Sequence, residues 1–440
     1  ALATKKVWCT PAPHVVGSAS PQRLPGMTRQ VALFLASNAL LYVGLIGISD
    51  AILNFYFVSL GHGSETIGML QSLPRLGGLL TSLPIGLLAD RFGTRRIIIV
   101  STLGVFGTYA MLVLWPDLVM LGISRFLLGL FYGGLQIAST PLLIALSLPE
   151  HEVINFSYLN VANMAATAGG SLLGGVLPSL AVAAFPGATA VAGMVAEKTP
   201  FAYQIALGAA GVIILISVIP LLRLHDVRNG DAPTGGIVLP LTKRAPWRTL
   251  IRLSSPMLVF GFTGGLTFPF YNLFFRTMFD VPDRTIGTIL SLGWLGMAIV
   301  PLATPRWERR YGRAPAVVLI LGVAALAFLG LSVASVLAVS VACYIVAISF
   351  RNAMQPLLQP LIMDSLAPSL HNIASSIGMV LWNIGWFSAT AISGFWQEAY
   401  GFDVIMRIVA VGVLVNGVMV VLLFRKLPPA RHTTTTAGTP

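Results

Sequence analysis

The chain has 440 residues, of which 56% are hydrophobic and only 10% charged. A soluble globular domain carries about 25% charged residues, so a soluble enzyme, a disordered chain and a disulfide scaffold are all excluded. The net charge of +12 comes from basic residues in short clusters between apolar runs, a pattern that orients a membrane protein rather than one that tracks nucleic acid.

The opening 25 residues carry Lys5 and Lys6, several prolines and no continuous apolar core, so they do not read as a signal peptide. Met27 is a candidate natural start. Apolar runs long enough to cross about 30 Å of hydrocarbon follow near 31–59, 65–89, 96–115, 118–148, 155–183, 201–223, 256–278, 285–305, 314–334, 336–365, 373–395 and 404–424. All read as helices, because a lone strand cannot satisfy its backbone in lipid. Twelve spans put both termini on one side. That side holds 20 of the 27 Lys and Arg, while the opposite loops hold only Lys198, Arg276, Arg284 and Arg407. Positive residues stay cytoplasmic, so both termini are expected inside.

The organisation expected is a cytoplasmic tail at 1–30, a six-helix bundle at 31–223, a cytoplasmic linker at 224–255, a second six-helix bundle at 256–425 and a tail at 426–440. The stretch from Leu241 to Leu253, with Lys243, Arg244, Trp247, Arg248 and Arg252, reads either as an interfacial segment on anionic lipid or as a plain basic loop. The two bundles repeat. Asn54-Phe55-Tyr56-Phe57 aligns with Asn272-Leu273-Phe274-Phe275, and after one inserted residue Ile67-Gly68 aligns with Ile286-Gly287 and Arg91-Phe92-Gly93 with Arg310-Tyr311-Gly312. A duplicated six-span unit is characteristic of secondary transporters, whose solute site lies between the repeats near mid-membrane.

Four ionisable side chains fall well inside spans: Asp50, Arg75, Arg125 and Arg351. Each is costly in hydrocarbon and needs a partner or a wet cavity. Asp50 lies about 13 Å below the outer end of span one at helical rise, with Arg75 at similar depth and Arg125 somewhat shallower as its two possible guanidinium partners, and it shares a face with Asn54. All six histidines lie in tails or near loop ends, so Asp50 is the mid-membrane group able to bind and release a proton. The alternative is a permanent ion pair that ties spans one and two together. Arg351, followed by Asn352, Gln355 and Gln359 and interrupted by Pro356 and Pro360, marks a kinked polar helix suited to a solute cavity. Trp382, Asn383 and Trp386, with Phe268, Tyr271 and Asn272, are candidates to line that cavity beside Asn54.

Between spans two and three stands Gly86-Leu87-Leu88-Ala89-Asp90-Arg91-Phe92-Gly93-Thr94-Arg95-Arg96. This resembles the G-x-L-x-D-R-x-G-x-[RK]-[RK] signature of the major facilitator superfamily. The gating set expected is Gly86, Asp90, Arg91, Gly93 and Arg95, with Arg310 at the corresponding place in the second half. Asp364 is expected to pair with Arg309 or Arg310. Arg125-Phe126-Leu127-Leu128-Gly129 is similar to the family's R-x-x-x-G pattern, which is associated with proton-coupled members. Gly170-Ser171-Leu172-Leu173-Gly174-Gly175 is similar to its antiporter motif, except that Ser171 replaces proline.

The resemblance implies an all-α integral membrane protein, a twelve-helix monomer of two pseudo-symmetric bundles in the lipid bilayer that works by alternating access. The expected activity is secondary active transport of a small-molecule solute across the cell membrane, with proton-coupled efflux of a drug or metabolite leading. Uptake of an organic anion is one alternative, and a non-transporting membrane sensor on the same scaffold is another. No enzyme motif, cofactor site, metal site or nucleic-acid partner is expected.

Overall fold

Helix is the backbone form that satisfies its own polar groups in hydrocarbon, and the long apolar runs are helical in the computed structural model. It describes residues 27–189, 195, 197–224, 246–367 and 370–424, with the backbone alone at 82–91 and at 372. In chain order the spans are α1 (Arg29–Ser59), α2 (Ser64–Phe92), α3 (Thr94–Leu114), α4 (Leu118–Leu146), α5 (Glu152–Ala184), α6 (Pro200–Leu222), α7 (Trp247–Phe279), α8 (Asp283–Tyr311), α9 (Arg313–Val333), α10 (Leu337–Asp364), α11 (371–400) and α12 (402–424). The last two form one continuous helical stretch, interrupted at Gly401 by a φ of 80°. Its 52-residue span from Ile373 to Phe424 would run about 78 Å as one helix, too long for a single crossing. Among the described residues the helices are consistent with twelve crossings. The chain enters α1 and leaves α12 at the same end, the terminal end; the other is the distal end.

Helices α2, α3, α4 and α5 begin at Ser64, Thr94, Leu118 and Glu152, each 219 residues before the starts of α8, α9, α10 and α11 at Asp283, Arg313, Leu337 and His371. The repeat extends to contacts. A Cβ on Gly68 of α2 would come within 3.0 Å of the Gly394 nitrogen of α11, and one on Gly287 of α8 within 2.9 Å of the Gly175 Cα of α5. The same offset carries 68 to 287 and 175 to 394, so these are one contact made twice. Both close the distal ends of the two bundles backbone against backbone. Gly93 and Gly312, also repeat partners, turn the chain with φ of 87° and 81°, a region that costs little only for glycine. Leu326, Val333, Val411 and Leu422 stand exposed on outer helix faces, as expected of surface that meets lipid.

Two local departures from the α-helix matter for the site. Val43–Ile48 in α1 is π-helical, immediately before Ser49 and Asp50. Phe268–Phe270 in α7 is a 3-10 turn around Pro269, whose ring removes one backbone donor. One boundary differs from expectation. Span seven begins at Trp247, not near 256. Leu250 and Ser254, four residues apart on one face, are fully buried, so this stretch continues into α7 instead of lying apart as an interfacial segment or loop. Residues 225–245, the rest of the expected linker, lie outside the described residues.

Candidate functional site

The π-helical turn in α1 delivers Asp50 to the space between the bundles. Such turns favour functional sites because they re-aim the side chain that follows. Asp50 is exposed although it stands mid-span, so its carboxylate faces an open cavity. That carboxylate makes no hydrogen bond or ion pair among the described residues. Arg125 and Arg75 both act on it coulombically.

Arg125 is buried and starts a directional hydrogen-bond chain. Its guanidinium donates to Gln71 Oε1 at 2.6 Å. Gln71 Nε2 donates to Asn54 Oδ1 at 2.7 Å. Asn54 Nδ2 then donates to Asn272 Oδ1 at 2.8 Å and to the Pro269 carbonyl at 2.6 Å. Asn272 Nδ2 returns to α1, donating to the Asp50 and Ala51 carbonyls at 3.1 and 3.3 Å. Four helices are tied in this way. Asn54 and Asn272 are both buried, with their amides engaged across the bundle interface.

Arg75 of α2 reaches across the interface into α11. Its guanidinium lies 4.7 Å from the Trp382 ring centre and 4.6 Å from that of Trp386, a double cation–π contact. Trp386 continues into an aromatic cluster through Phe268 at 5.7 Å, and Phe268 meets Trp294 at 5.4 Å and Tyr271 at 6.1 Å. Phe268 and Trp294 are the repeat partners of Asp50 and Arg75, so the second bundle is aromatic where the first is charged. Asn383 donates to the Met379 carbonyl of its own helix at 3.0 Å, and Gln355 is half-buried where α10 breaks after Arg351. Arg351 itself is buried. It bonds the Phe260 carbonyl, lies 3.3 Å from Thr263 Oγ1, and sits over the Phe260 ring at 4.0 Å. Carbonyl and ring compensate this charge in place of a carboxylate.

At the terminal end, Gly86 lies within α2, and the side chains of Asp90 and Arg91 lie outside the described residues. Arg95 donates to the Leu221 and Leu222 carbonyls at 3.1 and 2.9 Å, fastening a guanidinium to the end of α6, where the helix dipole favours a cation. Asp364 pairs with Arg313, which also holds Glu308, and not with Arg309 or Arg310. The left-handed turn at Gly312 separates Arg313 from those two and starts α9 with it; Arg310 instead lies over the Tyr311 ring at 5.3 Å.

The distal end holds a charge cluster that the sequence reading missed. Glu197 and Lys198 precede α6, while Arg276 and Asp283 flank the turn between α7 and α8. Lys198 Nζ lies 2.8 Å from Asp283 and 2.9 Å from Glu197. Arg276 pairs with Asp283 and lies 3.3 Å from Glu197. Tyr203 donates to Asp283 at 3.1 Å. Burial alone would raise the Glu197 carboxyl, but the Asp283 backbone N–H and the Lys198 and Arg276 charges hold it down at about 2. The signal was available: Lys198 and Arg276 are two of the four basic residues on an otherwise unbasic side, each with an acid in its own loop. No group of three or more His, Cys, Asp or Glu among the described residues could hold a metal ion.

Two helical bundles related by an internal repeat, packed backbone to backbone at the distal end and with an exposed carboxylate at mid-span, have the architecture of a membrane transporter. Residues 34–390 match the Major Facilitator Superfamily, and the chain belongs to it, as a multi-pass membrane transporter of a solute. No curated protein sequence matches the chain. Among solved structures, a bacterial homologue of the human lysosomal transporter Spinster, in an inward-facing and occupied conformation, is 13% identical. It superposes with a TM-score of 0.74 over 92% of this chain and 98% of its own. The nucleoside transporter NupG is 16% identical with a TM-score of 0.72, covering 90% of this chain and 100% of its own. A bacterial homologue of the iron transporter ferroportin, in its inward-facing state, is 16% identical with a TM-score of 0.68, covering 90% and 98%.

Proposed function

We propose that the chain works as a monomer in the cell membrane and exports a small solute, a drug or metabolite, in exchange for protons. In this reading the terminal end is cytoplasmic. The Lys and Arg excess on that side supports the orientation. The differing cargoes named for the fold relatives leave the solute to be argued from this chain's own residues.

One observation carries the coupling: the Asp50 carboxylate is exposed at mid-span, without a hydrogen bond or ion pair among the described residues, and stands beside two arginines. A proton drives a conformational cycle only if it binds the two states unequally. Arg75 supplies the difference. With Asp50 protonated, Arg75 stays between Trp382 and Trp386 and clasps α2 to α11, which favours the distal-closed state. With Asp50 ionised, the carboxylate competes for that guanidinium and loosens the clasp. The proton thus enters from the distal side and leaves on the terminal side, and the deprotonated carrier returns outward with solute bound. In reconstituted vesicles, Asp50→Asn is expected to abolish solute movement driven by a pH gradient while solute exchange at equal pH survives. Full gradient-driven movement in that variant would overturn the reading.

A second reading, uptake of an organic anion, is favoured by the burial of Arg351 without a carboxylate. It predicts that Arg351→Lys weakens solute binding, because a planar fork is replaced by a point charge. Unchanged binding of anionic solutes to that variant would remove it.

A further inference from the structure

Between α1, α4 and α5, in the terminal half of the first bundle, lies a cavity of about 200 Å³, the room of roughly six or seven waters in the liquid. Its polar lining comes from the amides of Asn38, Gln136, Asn160 and Asn163, the phenols of Tyr42 and Tyr132, and the hydroxyl-bearing Ser139 and Thr140. Each helix contributes a pair at helical spacing: 38 and 42 on α1, 132 and 136 on α4, 160 and 163 on α5. Residues three or four apart share a face, so three helices turn polar pairs toward one space. Such residues are costly toward lipid, and three matched pairs argue for a constructed site. Gln136 Nε2 donates to the Tyr132 hydroxyl at 2.8 Å, while Asn163 Oδ1 is buried with no partner.

No Asp, Glu, Lys, Arg or His lines the cavity. The repeat makes this a specific contrast, since Tyr132 stands 219 residues before Arg351 and so occupies its position in the first bundle. A charged group placed here would find no charged side chain in the wall to pair with, and such pairing is what offsets the cost of desolvation. Phe156 and leucine side chains complete the walls and suit the flat face of a ring. We propose that this cavity is a solute subsite selective for uncharged, ring-bearing compounds that carry several hydroxyl or amide groups. Asn163 Oδ1 accepts from a solute donor, and the Gln136–Tyr132 pair orients the ring edge. This rests on the reading of the chain as a transporter and narrows its solute class. Tyr42 lies eight residues from Asp50, about 12 Å along α1, so solute and proton occupy separate places and exchange through the conformational change rather than by direct displacement.

The test uses the full chain in lipid nanodiscs, with uridine and methyl glucoside as uncharged probes, uridine monophosphate and glucose 6-phosphate as their anionic counterparts, and glucosamine as a cation. At least one uncharged probe is expected to bind tenfold or more tightly than its charged counterparts. Asn163→Leu and Gln136→Leu are each expected to weaken that binding at least tenfold with the thermal midpoint retained. Gln136 is exposed, so if Asn163→Leu does not fold, Gln136→Leu decides. Binding of neither uncharged probe, equal binding of charged ones, or indifference to the substitutions overturns the subsite. Proton coupling is read separately. Uncharged probes that bind through these residues but do not move in a pH gradient leave the subsite standing and remove the coupling. Gradient-driven movement of charged solutes alone, insensitive to both variants, does the reverse.

Discussion

Asn54 donates its side-chain amide to Asn272 across 2.8 Å, and the two asparagines are repeat partners, 218 residues apart in the two bundles. A pseudo-two-fold axis brings like residues together, but a hydrogen bond needs one donor and one acceptor, so the pair resolves into an asymmetric contact. Asn54 accepts from Gln71, and Asn272 donates to the α1 carbonyls. Neutral amides that part can be rewetted without exposing a buried charge. Such a contact suits an interface that opens and recloses in the proposed transport cycle.

Asn272→Leu removes the donor to α1 and leaves Asn54 short of an acceptor. A hydrogen bond contributes about 0.5–1.5 kcal/mol net, so the distal-closed state is expected to lose roughly a few-fold to tenfold in population per bond. Hydrogen exchange at the start of α8 is expected to accelerate accordingly. Unchanged protection there would confine the asparagine pair to local packing.

The distal cluster is balanced: Glu197 and Asp283 against Lys198 and Arg276. Asp283→Asn leaves two buried cations facing one carboxylate, and breaking a buried pair from one side costs about 3–5 kcal/mol. A lower thermal midpoint and faster exchange at the distal end are expected. Lys198→Met added to Asp283→Asn restores the balance and is expected to recover part of the loss. Additive effects in that double-mutant cycle would show that the charges do not act as a unit.

The same cluster gives a pH prediction. The folded-state value of Glu197, about 2, lies below the ordinary carboxylate value. Its stabilising contribution is therefore fully present above that ordinary value and is lost only as pH falls through about 2. Between roughly pH 5 and 8 the Glu197 contacts are expected to stay locked, so exchange protection of residues 197–203, corrected for intrinsic rates, is flat. A midpoint inside that window would place a titrating group in the cluster.

The spans, the repeat and the family were legible because they are written in periodicity and in spacing at fixed offset, which lipid and symmetry enforce locally. Depth was legible too: Asp50, Arg75, Arg125 and Arg351 were marked by the cost of charge in hydrocarbon alone. Their partners were not. Arg75 meets two tryptophans more than three hundred residues away, Arg125 meets Gln71, and Arg351 is compensated by a backbone carbonyl that no side-chain inventory reveals. Asp364 finds Arg313 instead of its neighbours because a glycine turn decides which arginine begins α9. Pairing depends on helix rotation and bundle closure, which a one-dimensional pattern leaves open.

If Asp50 acts through Arg75, then Asp50 and Trp386 report on one event. Trp386→Leu removes one of the two rings that hold the guanidinium, a contact worth about 0.5–2 kcal/mol when desolvated, and so weakens the clasp whether or not Asp50 is protonated. Spin labels on the distal ends of α2 and α11 measure the clasp directly as a distance distribution. In the wild type, raising the pH is expected to shift that distribution toward the open state. Asp50→Asn is expected to hold it closed at every pH, because no carboxylate competes for Arg75. Trp386→Leu is expected to shift it open at low pH already. In the double variant Arg75 has one ring and no carboxylate, so the distribution is expected to lose its pH dependence and lie between the two single variants. A double variant that still opens as pH rises would assign the switch to another group and leave the Arg75 clasp a static tie between the bundles.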